Sequence, residues 1–365
     1  MIQQYISKRE FMFALPSAII GISILSMPSA IAKVTSFSDG WISILIAGII
    51  ATLFALLAVH VASHFPNQSF IEYAPTLVTK PIAILFALTF IIIHILLTGF
   101  ITRSVAYIAQ QYLFERTPME VLALAFLLVV IYAVAGSRIG LFRLNMLFLP
   151  IILFVFLFVG IFNIKSMELS NLFPLFKTSM KGYVFGIREA LISFMGFGIG
   201  IFYVFMIKEP MKMNKKIIIG MSITTIFYLF IFLCSIVVFN NKVTGNILLP
   251  TLELALRVDI PGAVFERIDA FVYTIWIMAV FNTVTITYDI AVLIFISMFN
   301  KLNKPMIVFI MGPIIFFISM FPKSMNTMNK LLFGVNIFYT IYISCIIILF
   351  YIIIKWKGTP RYESP

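Results

Sequence analysis

The densest run of polar side chains inside an apolar stretch of this chain is Asn282, Thr283, Thr285, Thr287, Tyr288 and Asp289. Steps of three and four put Asn282, Thr285 and Asp289 on one helical face, with Thr283 and Thr287 flanking it. An amide, hydroxyls and a carboxylate so spaced can hold a polar solute or line a gate or ion path. They can equally hydrogen-bond one helix to another, and Asp289 can simply sit near a helix end. Arg103 pairs with an acid or reaches outward, and is a further gating candidate; His94 is a packed core histidine or a proton relay. No two titratable groups have a catalytic spacing, no glycine loop suits a phosphate, and His and Cys lack metal-ligand spacing. The chain does not read as an enzyme, and no metal or cofactor is expected.

Backbone groups offer a second kind of chemistry wherever a helix breaks. Gly21-Ile22-Ser23-Ile24-Leu25-Ser26-Met27-Pro28 ends in a proline, which removes a helix donor, and begins with a glycine that loosens the preceding turn. Ser193-Phe194-Met195-Gly196-Phe197-Gly198-Ile199-Gly200 carries three glycines in five residues, each costing about 1 kcal/mol of helix stability relative to alanine. Close helix packing explains such glycines when each run is taken alone. Taken together, the runs fall at matching places in two halves of the chain, which is the sequence pointer to a midplane binding site in secondary transporters. Freed N–H groups there can hold a carboxylate, and freed carbonyls an ammonium group or a cation.

The elements that must carry these residues are transmembrane helices. Of 365 residues, 62% are hydrophobic and 11% charged, with a mean hydropathy of +1.10, far from the composition of a soluble domain. The apolar residues fall in blocks near the length that crosses a bilayer, apolar on all sides. Ten spans are predicted, near 10–33, 40–62, 81–112, 119–136, 143–163, 184–208, 216–239, 265–298, 305–321 and 331–355. The third and eighth are long enough to tilt or project. Phe11 to Ala32 is too long for a signal segment and reads as a retained first helix. With the N terminus inside, that side collects Lys8, Arg9, Lys80, Arg138, Arg143, Lys212, Lys304 and Lys355 among others, so both termini are expected to be cytoplasmic. The net charge of +12 is thereby explained by topology, and nucleic acid is not an expected partner.

The sizeable extramembrane segments are two loops near 164–183 and 240–264. In the second, Leu248 to Val258 reads as a short amphipathic helix on the outer face, with Glu253 and Arg257 at i,i+4 spacing. Cys234 and Cys345 read as small buried hydrophobes, Trp41, Trp276 and Trp356 as residues near membrane boundaries, and Glu266 and Asp269 as acids suited to a helix N-terminus.

Several of these motifs resemble the B-subunit, or endospore germination permease, family of spore germinant receptors, within the amino acid–polyamine–organocation superfamily. They are the 21–28 run, Asp39-Gly40-Trp41-Ile42, Glu115-Arg116-Thr117-Pro118, Asn171-Leu172-Phe173-Pro174 and the glycine core of span six. The most specific is the block from Leu248 to Phe271 running into Trp276-Ile277; Phe321-Pro322-Lys323 is a weaker match. The resemblance covers nearly the whole chain.

That resemblance implies an all-α integral membrane fold: ten transmembrane helices in a five-plus-five inverted repeat, with helices 1 and 6 interrupted. The whole of 1–365 is then one transmembrane domain, with repeat one near 10–163 and repeat two near 184–355. It implies a small germinant, an amino acid or nucleoside, bound by Gly21, Ser23, Thr98, Met195, Gly196, Phe197, Thr283 and Thr287. Arg103, Asn282 and Asp289 remain the candidates for gating or an ion path. It also implies A-type and C-type (lipoprotein) partner subunits, and lipid around the chain in the inner membrane of an endospore. The sequence departs from the family in having Ser23 where a second glycine is common, and nothing acidic at Gly198. The absence of lysine between Leu144 and Asn163 favours a receptor over a coupled transporter. A cation-coupled symporter and an ion-conducting subunit are the competing readings.

Overall fold

The computed structural model of the chain describes residues 5–258, 268–299 and 302–357. Capped helix starts punctuate it. Helix α1 (Lys8–Ala32) opens on a capping box in which Ser7 Oγ accepts from Glu10 N and Glu10 Oε2 accepts from Ser7 N. Helix α2 (Gly40–Ser63) follows, then a short α3 (Phe70–Leu77) started by a Ser69–Glu72 box, then α4 (Lys80–Tyr112) with proline in its first turn. Helices α5 (Met119–Ala135) and α6 (Arg138–Phe162) are joined by a tight turn at Gly136-Ser137, and the Ser137 hydroxyl caps α6. The second half runs α7 (Met180–Ser193), a 3₁₀ turn Met195–Ile199, α8 (Gly200–Tyr203), α9 (Asn214–Phe239), α10 (Asn241–Asn246), α11 (Pro250–Leu256), α12 (Ile268–Met298), α13 (Lys304–Met320) and α14 (Met325–Lys357).

Among the described residues, seven helices are long and apolar enough to cross a membrane: α1, α2, α4, α6, α9, α12 and α14. The pair of α7 and the segment to Met206, bent by 46° at its break, is apolar and long enough to cross only when taken together. Helices α5 and α13 are apolar but only 17 residues each. The 33 residues of α4 and of α14 rise about 50 Å, well beyond a hydrocarbon core of about 30 Å, so both tilt or project. Large apolar side chains such as Leu53, Leu85, Phe154, Ile226, Phe309 and Phe317 stand exposed on the outside, as lipid-facing residues do.

Span six breaks where its glycines predict, and the reason is space. A side-chain carbon on Gly196 would meet Ile19 at 2.7 Å, one on Gly198 Ile343 at 2.1 Å, and one on Gly200 Val59 at 2.7 Å. The broken segment is therefore threaded between α1, α14 and α2, and only bare backbone fits.

Span one differs from expectation: α1 is a continuous helix through Gly21 and Pro28. Pro28 has no N–H to offer the Ile24 carbonyl, and the Thr251 hydroxyl donates to that carbonyl instead, at 2.6 Å. With the orphaned acceptor satisfied, the proline leaves no need to unwind.

The recurring motifs outside the spans act as fasteners. Asp39 accepts hydrogen bonds from the backbone N–H groups of Phe176, Lys177 and Thr178 at 2.7–2.8 Å, and Ser38 Oγ donates to Leu172 O. Asn171 Nδ2 donates to Val237 O. Helix α11 is buried against α1 and α12 rather than lying loose on the surface, and Asn163 Nδ2 donates to Leu254 O beneath it. Arg257 stacks over the Phe239 ring at 4.5 Å instead of pairing with Glu253. Trp276 is a core residue and not an interfacial one; Cys345 is exposed on the outer surface of α14, whereas Cys234 is buried. Glu266 and the side chain of Asp269 lie outside the described residues.

Candidate functional site

The seam between α1 and α12 is held by side chains reaching for backbone. Thr283 Oγ1 donates to Ser17 O at 2.9 Å, and Trp276 Nε1 donates to Gly21 O at 3.2 Å. Gly21 lies directly on this seam: a Cβ there would be 2.1 Å from Thr283 Oγ1. From the other side, the Tyr228 hydroxyl lies 3.1 Å from the carbonyl oxygens of both Ile19 and Ser193, tying α1 to the end of α7. Four carbonyls of α1, those of Ser17, Ile19, Gly21 and Ile24, thus receive donors from other elements.

Where α1, α4, the 195–199 turn, α12 and α14 converge there is a small cavity of about 20 Å³, lined by Ala18, His94, Met195, Gly196, Thr287 and Tyr339 among others. It is on the scale of a single water site. His94 is buried, with Nδ1 2.7 Å from Phe90 O, and packs between the rings of Phe90, Phe202 and Tyr339. With Nδ1–H donating to that carbonyl, Nε2 carries the lone pair.

The eight predicted binding residues are only partly brought together. Met195, Gly196 and Thr287 line the small cavity. Gly21 and Thr283 are pressed on each other beside it. Thr98 is buried and spends its hydroxyl on His94 O one turn back. Phe197 turns toward α2, its ring 5.5 Å from that of Phe54. Ser23 faces a separate, larger cavity of about 460 Å³ on the face away from the N terminus. Sequence reasoning missed Tyr228, Tyr339 and Thr251, whose roles depend on long-range contacts that no local pattern encodes.

The gating candidates also separate. Asp289 is fully buried between Arg138 Nε and Lys304 Nζ, each at 2.9 Å, and accepts from Tyr203 Oη at 2.9 Å. This cluster fastens α12 to the N-terminal ends of α6 and α13 and to α8, on the N-terminal face. Glu10–Arg143 and Lys8–Glu209–Lys212 add ion pairs on the same face. Arg103 has no acid within ion-pair distance among the described residues and reaches Met320 Sδ at 3.5 Å. Asn282 is buried, and neither polar atom of its side chain has a hydrogen-bond partner among the described residues.

The sequence-family model described as Spore germination protein matches residues 5–328. Spore germination protein GerLB of Bacillus cereus is 38% identical over 331 residues, covering 89% of this chain and 87% of its own length. Spore germination protein YndE of Bacillus subtilis (strain 168) is 27% identical, covering 79% and 78%. Among solved structures, MhsT in complex with L-phenylalanine aligns with a TM-score of 0.68 at 14% identity, over 96% of this chain and 90% of MhsT. Mhp1, a nucleobase-cation-symport-1 family transporter in a closed conformation with bromovinylhydantoin bound, aligns with a TM-score of 0.67 at 12% identity, over 90% and 75%. At these identities the likeness to MhsT and Mhp1 is one of fold. The chain belongs to the spore germination protein family, as a multi-pass membrane protein with a transporter fold.

Proposed function

We propose that the chain is a germinant receptor subunit that binds a small nutrient, an amino acid or nucleoside, where α1, α4, the 195–199 break and α12 meet, and that binding triggers germination. The observation that carries this reading is the broken span six. Its glycines hold bare backbone against α1 and α14, beside a cavity walled by His94, Thr287 and Tyr339. A cavity of about 20 Å³ cannot hold a nutrient, so the ligand must select a conformation in which the break moves off α1. A ligand that favours that conformation shifts the population toward it, and this shift is the signal. MhsT and Mhp1 each hold a small organic molecule, which supports the same use of this fold.

The finer architecture belongs to the same proposal. Counting the bent pair as one span, with α5 and α13, gives ten, since 17 residues is the lower limit for a crossing helix. Five precede the 164–179 loop and five follow it, as two inverted repeats of one domain. Both termini then lie in the cytoplasm, the chain sits in the inner membrane of the spore, and it works with A-type and C-type subunits. The test is equilibrium binding, by the full chain in lipid nanodiscs, of whichever nutrient triggers its spores. Wild type binds and Gly196→Leu does not; equal binding by both rejects the site.

The competing reading is a cation-coupled symporter, favoured by the transporter fold itself. Uptake by the chain in liposomes, abolished when a cation gradient is collapsed, decides for it. An ion-conducting subunit is less well supported, because Asp289 is already neutralised by two cations.

A further inference from the structure

At the N-terminal face the last turns of α2 and α14 lie side by side, and a cleft opens between them. It measures about 340 Å³ and is lined by His60, His64, Tyr351, Ile354 and Lys355. That volume is within the range of small-molecule sites, roughly 300–1,000 Å³. Two of the chain's three histidines stand here. Their ring centroids are 4.6 Å apart, and the His60 ring is 6.0 Å from that of Tyr351. His64 Nδ1 lies 2.8 Å from His60 O one turn back, which fixes its ring. No acid lines the cleft among the described residues. His60 and Lys355 are exposed and His64 is half-buried, so the cluster is open to a ligand and contributes little to packing.

The helix surfaces leading to the cleft define the shape of that ligand. On α2 the exposed Ile46, Ile49 and Leu53 step by three and four, and His60 and His64 continue the same stripe two and three turns on. On α14 the exposed Ile341, Cys345, Ile348 and Ile352 step in the same way, and Lys355 ends the row. Both stripes face lipid, and both pass from apolar to basic at this end. Trp356, beside Lys355, is 86% exposed, as an aromatic anchor at a membrane boundary is. The cleft therefore lies at headgroup level, with apolar rows for acyl chains leading away from it. Two helix C-termini bring about half a negative charge each, which Lys355 alone only balances. A proton on the histidine pair supplies the surplus that attracts an anion, and the anion in turn favours that proton.

We propose that this cleft binds the headgroup of an anionic phospholipid. The phosphate pairs with Lys355 and accepts from the protonated histidine pair, the Tyr351 hydroxyl donates to a headgroup oxygen, and the acyl chains lie along the apolar rows of α2 and α14. A zwitterionic headgroup brings its own cation beside Lys355 and is disfavoured. Free phosphate lacks the apolar contact. The site joins the ends of α2 and α14 through lipid and does not depend on the nutrient site.

The test uses the purified full chain in detergent near pH 6, below the ordinary imidazole pKa of about 6.5. The probes are dioctanoyl phosphatidylglycerol, dioctanoyl phosphatidylcholine and inorganic phosphate, read by equilibrium binding and by the shift in thermal unfolding midpoint. Phosphatidylglycerol is expected to bind and stabilise, with phosphatidylcholine and inorganic phosphate each weaker by roughly tenfold or more. Lys355→Ala loses roughly tenfold or more, as does the double variant His60→Gln with His64→Gln, while Lys355→Arg keeps binding. Lys215→Ala, at an exposed lysine elsewhere on the same face, changes nothing. Unfolding midpoints without lipid stay at the wild-type value, which separates lost binding from lost fold. The proposal is overturned if the two lipids bind alike, if Lys355→Ala and the histidine variant bind as wild type does, or if Lys215→Ala costs as much as Lys355→Ala. Inorganic phosphate binding as tightly as the lipid also overturns it, because the acyl chains then contribute nothing.

Discussion

A carbon added at Gly21 would stand 2.1 Å from Thr283 Oγ1 and 3.2 Å from the Ala279 carbonyl oxygen, so α1 and α12 meet there on bare backbone. Gly21→Ala must push the helices apart. Overpacking of this kind costs typically about 1–3 kcal/mol, and the expected result is a lower unfolding midpoint for the purified chain. Adding Thr283→Ala removes the closer contact and should restore part of the loss, a coupling that a double-mutant cycle reads. Additive losses would mean that the two residues do not share a seam.

Thr251 reaches across from α11 to the carbonyl that Pro28 orphans. Thr251→Val keeps the shape and removes the donor, leaving a buried unpaired acceptor. The expected loss is about 1–3 kcal/mol, measured as unfolding midpoint, with Thr251→Ser close to wild type. Equal losses in the serine and valine variants would assign the effect to packing alone.

The cluster at Asp289 predicts how the starts of α6 and α13 are held to α12. Asp289→Asn leaves Arg138 and Lys304 half-hidden with no counter-charge, a change worth about 3–5 kcal/mol when an ion pair is broken from one side. Hydrogen exchange should quicken at the starts of α6 and α13, while α10 and α11 on the opposite face keep their protection. Uniform exchange across both faces would contradict a local fastener.

Asp39 gives a pH signature on the other face. Burial alone would raise its pKa, but hydrogen bonds from Thr178, Phe176 and Lys177 outweigh burial and hold it below the usual carboxyl value. A depressed folded-state pKa contributes stability that is complete above the ordinary value of 3.8 and is lost as pH falls through the lower folded value. Wild type should therefore be more stable than Asp39→Asn at neutral pH, with the gap closing only in strong acid. A gap that closes nearer neutrality would mean the carboxylate is not so held.

Much of this was legible in the sequence because hydrophobic runs and glycines are local signals. The break at Met195–Ile199 follows from Gly196, Gly198 and Gly200, and the apolar blocks mark where helices lie. The continuity of α1 was not legible, since the donor that repairs Pro28 comes from Thr251, 227 residues from Ile24. Trp276 looked interfacial, yet its N–H finds Gly21 O in the core, which lets the ring be fully buried. Phe197 looked like a neighbour of Met195 in the site. A 3₁₀ turn sets successive residues about a third of a turn apart, and Phe197 is thereby directed to α2 while Met195 and Gly196 remain on the cavity. Asp289 was marked as polar within a span, but not its two cations, which arrive from the starts of α6 and α13.

The central claim is that a nutrient acts at the broken span six. Its most direct test is the germinant dose-response of spores carrying Gly196→Leu as their only copy of the chain, with its amount in the spore inner membrane measured alongside. The account predicts normal membrane content and a response shifted to at least roughly tenfold higher nutrient, a change of about 1.4 kcal/mol in binding. An unchanged dose-response at normal content would contradict it.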